Sequence, residues 1–138
     1  MWRQVELTIV QGKNLGLTGY DGANTNFEFD AVEVDDDLSC EIHLNDILCG
    51  RTTVKKGRSP DWHEKFTFPG LPPFESLDII VWREKKTSKP SVLGITKIEL
   101  RNFRRGDAVE GWFPVLKGGA IGTEIRVGKL RLKICVDE

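Results

Sequence analysis

No uncharged apolar run in the 138 residues approaches the ~18 that a transmembrane helix needs, so no spanning helix is expected. The opening Met1-Trp2-Arg3-Gln4 lacks the apolar stretch of a secretory signal, and a cytoplasmic location is expected. Cysteine is scarce and odd in number: Cys40, Cys49 and Cys135 fit a reducing compartment better than a disulfide framework. No close Cys-x-x-Cys pair is present to begin a zinc site. There are only two histidines, His43 and His63, and neither lies in a Gly-x-Ser-x-Gly or His-Glu-x-x-His context. Gly118, Gly119 and Gly122 lack the Lys-Ser/Thr of a phosphate loop and read as a turn before a strand. With no catalytic constellation, an autonomous enzyme is not expected. No window holds a sustained helical period, although 101–109 has room for a turn or two.

Two-residue alternation takes its place. Val5, Leu7 and Ile9 alternate with Glu6 and Thr8; Leu38, Cys40, Ile42 and Leu44 with Ser39, Glu41 and His43. The same period recurs at Trp62–Phe68, at Leu77, Ile79 and Val81, and at Leu130, Leu132 and Ile134. This spacing buries one set of side chains and wets the other, the pattern of half-covered antiparallel strands. Ile47–Val54, Val92–Leu100 and Gly111–Leu116 bring the expected count to eight. Gly57-Arg58-Ser59-Pro60, Pro69-Gly70-Leu71-Pro72-Pro73 and the 117–122 glycines punctuate them. An all-β fold follows, an eight-stranded antiparallel β-sandwich in a single domain, 1–138. A polar insertion over 16–36 is too long for an ordinary hairpin loop and reads either as a binding loop or as a structureless insert.

The net charge of −1 conceals segregation. From Asp21 to Glu41 there are eight carboxylates and no Lys or Arg, which leaves 20 basic against 13 acidic groups elsewhere. Thirteen of those cations fall between Arg51 and Arg105. Fields act over a Debye length of ~8–10 Å, so such a chain can attract an anionic surface while neutral on average. The acidic run Asp35-Asp36-Asp37 offers candidate calcium ligands, yet one cluster supplies too few of the roughly 6–8 oxygens calcium takes, and the run also reads as a solubilising loop. Nucleic-acid binding is not expected: the basic stretches are not interleaved with aromatics, and the pI is about 6.2.

The run Val5-Glu6-Leu7-Thr8-Ile9-Val10-Gln11-Gly12-Lys13-Asn14-Leu15, then Asp37–Ile42, then Arg51–Phe68 with its Ser-Pro-Asp-Trp-His-Glu-Lys-Phe-Thr-Phe ending, resembles a C2 domain. Leu77–Trp82, Leu93-Gly94 and Gly111-Trp112-Phe113-Pro114-Val115 follow in the family's order. Starting on the Val5 strand and ending on Lys129–Val136, the chain is similar to the circularly permuted, type II topology. Within the family it is most similar to the C2 domains of Ras GTPase-activating proteins, through Cys40-Glu41-Ile42, Arg83-Glu84-Lys85-Lys86 and Trp112-Phe113-Pro114-Val115.

The departures from the family shape the functional expectation. Calcium-binding members place aspartates in two loops at one end of the sandwich, and Asp37 matches the last ligand of the first. In the second loop, where the family has three aspartates, this chain has Arg83, Lys85 and Ser91. Calcium is therefore not expected as a cofactor, with Asp35, Asp36 and Asp37 as residual metal candidates. The resemblance implies instead a calcium-independent module that docks on anionic phospholipid through Arg83, Lys85, Lys86 and Lys89, with Lys55, Lys56 and Arg58 of the preceding hairpin as a second headgroup patch. Whether the two patches face one way is open. Lys129, Arg131 and Lys133 form a third stripe that can simply solubilise a sheet. The alternative is a protein-interaction or intramolecular scaffold module without lipid binding, meeting a small GTPase or an adjoining GTPase-activating domain.

Overall fold

The computed structural model describes residues 4–16, 32–69, 74–86, 88–104, 106–118 and 124–137. All eight expected strands are present: β1 (Gln4–Lys13), β2 (Asp37–Leu44), β3 (Ile47–Arg51), β5 (Asp61–Pro69), β6 (Ser76–Glu84), β7 (Ser91–Glu99), β8 (Ala108–Lys117) and β9 (Ile125–Asp137). The third strand ends at Arg51, three residues short of the expected Val54, and a short β4 (Lys55–Lys56), which was not expected, follows it. The third strand stops there because Thr52 turns inward: it is buried, and its hydroxyl accepts the Cys40 N–H at 2.9 Å. The helical allowance at 101–109 contracts to one 3-10 turn, Leu100–Asn102, anchored by buried Leu100. Most of the expected insertion, 17–31, lies outside the described residues.

The strand order is β3-β2-β6-β7-β8-β9-β1-β5, antiparallel throughout, with β4 beside the start of β2. Between β7 and β8 the only ladder pair is Ile95↔Leu116, so the path divides there into two four-stranded sheets. Gly94 sits at that crossing, where a Cβ would lie 2.6 Å from Val115 and 2.9 Å from Val127. First and last strands are neighbours within one sheet, as the type II order requires.

Alternation places the core as expected. Val5, Leu7 and Ile9 of β1 meet Leu130, Leu132 and Ile134 of β9, and across the sandwich lie Leu38, Cys40 and Ile42 of β2 with Leu77, Ile79 and Val81 of β6, all buried. Trp62 closes one end, its indole N–H donating to the Thr53 carbonyl at 2.8 Å. Burial pushes the Cys40 thiol far up, leaving it a small hydrophobe. All three cysteines are free. A two-residue turn with Asn45 and Asp46 both at positive φ joins β2 to β3.

Candidate functional site

Strand register decides which of the charged segments meet. At the start of β2, Asp37 and Leu38 pair on one side with Lys56 and Lys55 of β4 and on the other with Glu84 and Arg83 of β6. Two strand spacings separate the flanking strands, about 10 Å. The Lys55–Lys56 hairpin and the turn that follows β6 therefore share one end of the sandwich. The connection entering β2 lies there too, as does the start of β9, since the Gly16 N–H donates to the Val127 carbonyl at 2.9 Å.

The seven expected cations are not equivalent at this end. Lys55, Lys86 and Lys89 are exposed and have no carboxylate partner among the described residues; Lys85 is half-buried. Lys56 is exposed but bonded to Asp37 Oδ1 at 2.8 Å, and that bond raises its pKa above the usual lysine value. Arg58 is half-buried and donates through Nε to the Val32 carbonyl, so it serves the fold. Arg83 departs furthest from expectation. It is 2% exposed, and its Nε and Nη2 donate to Asp36 Oδ2 at 3.1 and 2.9 Å. The cause is phase: Leu77, Ile79, Val81 and Arg83 fall on one face of β6, and that face is the core. Arg83 is not a surface contact.

The same pair bears on the expected residual metal ligands. Asp36 is 5% exposed, and the oxygen that takes Arg83 also accepts the Glu33 N–H at 2.9 Å. Asp37 is engaged by Lys56, which leaves Asp35 exposed without a neighbouring set. Among the described residues no group of three or more His, Cys, Asp or Glu side chains could hold a metal. Arg83, which the resemblance sets at a ligand position, pairs with Asp36, so the described residues do not fit the ion that the family's metal-binding members carry.

Sequence reasoning missed a set of exposed aliphatic side chains at this end: Val34 is 79% exposed, Ile125 53%, Val54 52% and Val92 40%. They lie at the starts of β7 and β9 and in the connections before β2 and β4, where alternation has stopped reporting a face. It also missed a hollow of about 380 Å³ on the outer face of β2 and β6, lined by Asp37, Ser39, Glu41, Arg51, Thr52, Val54, Trp82, Glu84 and Pro90. Arg51 pairs with Glu41 at 2.7 Å and Lys56 with Asp37 at 2.8 Å, so Glu84 is what leaves the hollow mildly acidic. Burial pushes the Glu41 carboxyl up, but Trp82, His43 and Arg51 outweigh that and hold it below its usual value. Asp37 and Glu84 stand directly opposite each other, like charge to like charge. A phosphorylated headgroup meets repulsion there.

Comparison with known proteins agrees with this fold. The C2 domain family profile matches residues 3–115. Human Disabled homolog 2-interacting protein is 36% identical over 98 residues, 64% of this chain and 8% of that protein. Human Ras GTPase-activating protein 1 is 31% identical over 95 residues, 68% of this chain and 9% of that protein. The chain thus spans about a tenth of these relatives' length. Among solved structures, a C2 domain of plant Extended Synaptotagmin 1 superposes with a TM-score of 0.66 at 19% identity, covering 97% of this chain and 93% of that one.

Proposed function

The chain belongs to the C2 domain family, and from that premise we propose that it docks on anionic phospholipid without calcium, as a peripheral-membrane module of a larger cytoplasmic signalling protein. The observation that carries the reading is the convergence at one end of exposed Lys55, Lys86 and Lys89 with exposed Val34, Val54, Val92 and Ile125. Lysines near an anionic leaflet contribute about 1 kcal/mol each. Three of them hold a domain weakly, and aliphatic tips entering the headgroup region add the second signal that stable peripheral binding needs. The likeness to Ras GTPase-activating protein 1 supports a parent that activates a Ras-family GTPase, with an adjoining activating domain or the GTPase itself as partner. The domain is non-catalytic in this reading.

Sedimentation with phosphatidylcholine vesicles, with and without phosphatidylserine, tests it. Binding is expected only with phosphatidylserine, equal in calcium and in chelator, and weakened by salt. Absence of binding in every condition overturns the reading, and binding only in calcium overturns its calcium independence. Because the hollow beside the hairpin is acidic, polyphosphorylated inositides should gain no more than their charge predicts.

A second reading, a protein-interaction or scaffold module, is favoured by the same hollow: Asp37, Glu41 and Glu84 beside Trp82 suit a basic protein surface. Charge reversal at Glu84 should then weaken partner capture and leave vesicle binding intact or improved.

A further inference from the structure

We propose that Arg83 is a resident cation that assembles the docking end permanently, doing with a covalently attached guanidinium what an exchangeable divalent ion does elsewhere. Asp36 is the hub. Its Oδ2 takes Arg83 Nε and Nη2 from the end of β6 and the Glu33 N–H from the connection before β2. Its carbonyl accepts the Gly57 N–H of the β4–β5 turn at 3.1 Å, and its own N–H donates to the Glu33 carbonyl at 3.1 Å. One residue thus joins three segments, and two of them carry exposed groups of the docking end.

Asp36 can stay buried only because the guanidinium neutralises it. Removing a carboxylate from water costs several kcal/mol, which close pairing and further hydrogen bonds must offset. A divalent ion could supply that neutralisation, but its occupancy follows its concentration. Arginine does not deprotonate in proteins and cannot diffuse away. The three segments are therefore held at every calcium level. Arg83 acts through Asp36 and touches no lipid, so it is a positioning residue. Its consequence for membranes rests on the proposed function, whereas the assembly itself does not.

The test follows amide hydrogen exchange by NMR, thermal melting and vesicle binding in parallel. In Arg83→Gln the amides of Glu33, Asp36 and Gly57 should lose protection by about a hundredfold or more. Amides of β1 and β9 should stay protected. In Arg83→Asp, which sets a new carboxylate beside Asp36, melting should fall in chelator and recover in part at about 1 mM calcium, while wild-type melting does not respond. Should either single variant fail to fold, the neutral double variant Asp36→Asn/Arg83→Gln should fold and melt closer to wild type than Asp36→Asn alone. Unchanged protection at Glu33, Asp36 and Gly57 in Arg83→Gln overturns the proposal, as does a wild-type melt that rises with calcium. Loss of those protections with no vesicle binding by wild type would sink the membrane reading and leave the assembly role standing.

Discussion

Two arginine–carboxylate pairs in this domain have nearly the same geometry and opposite meaning. Arg83 reaches Asp36 through Nη2 at 2.9 Å and Nε at 3.1 Å; Arg131 reaches Glu110 through the same atoms at 2.6 and 3.2 Å. The first lies inside the proposed docking end with both partners buried, and the second lies on the outer face of β8 and β9 with both open to solvent. Arg131 and Lys129 also stand over the Trp112 ring, at 5.8 and 4.9 Å from its centroid. The shorter contact is the weaker contributor, because water competes for it and salt screens it. The buried pair is decisive because neither member can return to water while the fold holds. In this chain, position in the pleat ranks the charges, and residue type does not.

The largest expected effect comes from breaking the buried pair on one side only. Asp36→Ala strands the Arg83 guanidinium and should cost about 3–5 kcal/mol in urea unfolding. A loss below about 1 kcal/mol would place this pair with the exposed ones and erase the contrast. Next comes the proposed docking end itself. Lys86→Gln with Lys89→Gln removes two exposed cations worth about 1 kcal/mol each at an anionic leaflet, so vesicle affinity should fall roughly thirtyfold with the melt unchanged. Arg131→Gln should cost no more than about 1 kcal/mol and lose even that effect in high salt, measured by thermal melting at two ionic strengths. Its vesicle binding should match wild type, and a large drop would move the membrane contact to the β8–β9 face.

Much of this contrast was available in the sequence. The alternation at Leu77, Ile79 and Val81 sets a phase that carries on to Arg83, which places the guanidinium inward by the same rule that placed the core. Residue type argued the other way, since arginine is rarely buried without a partner. That partner is 47 positions away, and single-sequence periodicity cannot pair Asp36 with Arg83. Strand existence was legible for the same local reason. The early end of the third strand was not, because Thr52 looks like any strand threonine until its hydroxyl meets the Cys40 N–H. The convergence of the Lys55–Lys56 and Lys86–Lys89 patches was hidden too, since it depends on β2 lying between β4 and β6. Val34, Val54, Val92 and Ile125 left no signal, because a valine or isoleucine at a strand's start or in the connection before it reads the same whether it packs or protrudes.

The smallest expected effect sharpens the rule from a third environment, a carboxylate that is neither buried with a dedicated partner nor open. Asp78 sits on the outer face of β6, opposite His43 of β2 and Lys97 of β7. Burial pushes its carboxyl above the usual value, Asp46 and Glu99 push the same way, and Lys97 and His43 do not fully offset them. A raised folded-state pKa means that the native state holds the proton more tightly than the unfolded chain does. Stability therefore declines as pH rises from the ordinary carboxylate range through the raised value, and the penalty is complete at neutral pH. Asp78→Asn removes it. The variant should melt slightly higher than wild type at pH 7, with the gain vanishing once the pH falls into the ordinary carboxylate range. A loss at pH 7 would mean that Lys97 and His43 outweigh the burial, and that partial exposure suffices for a pair on this face to stabilise.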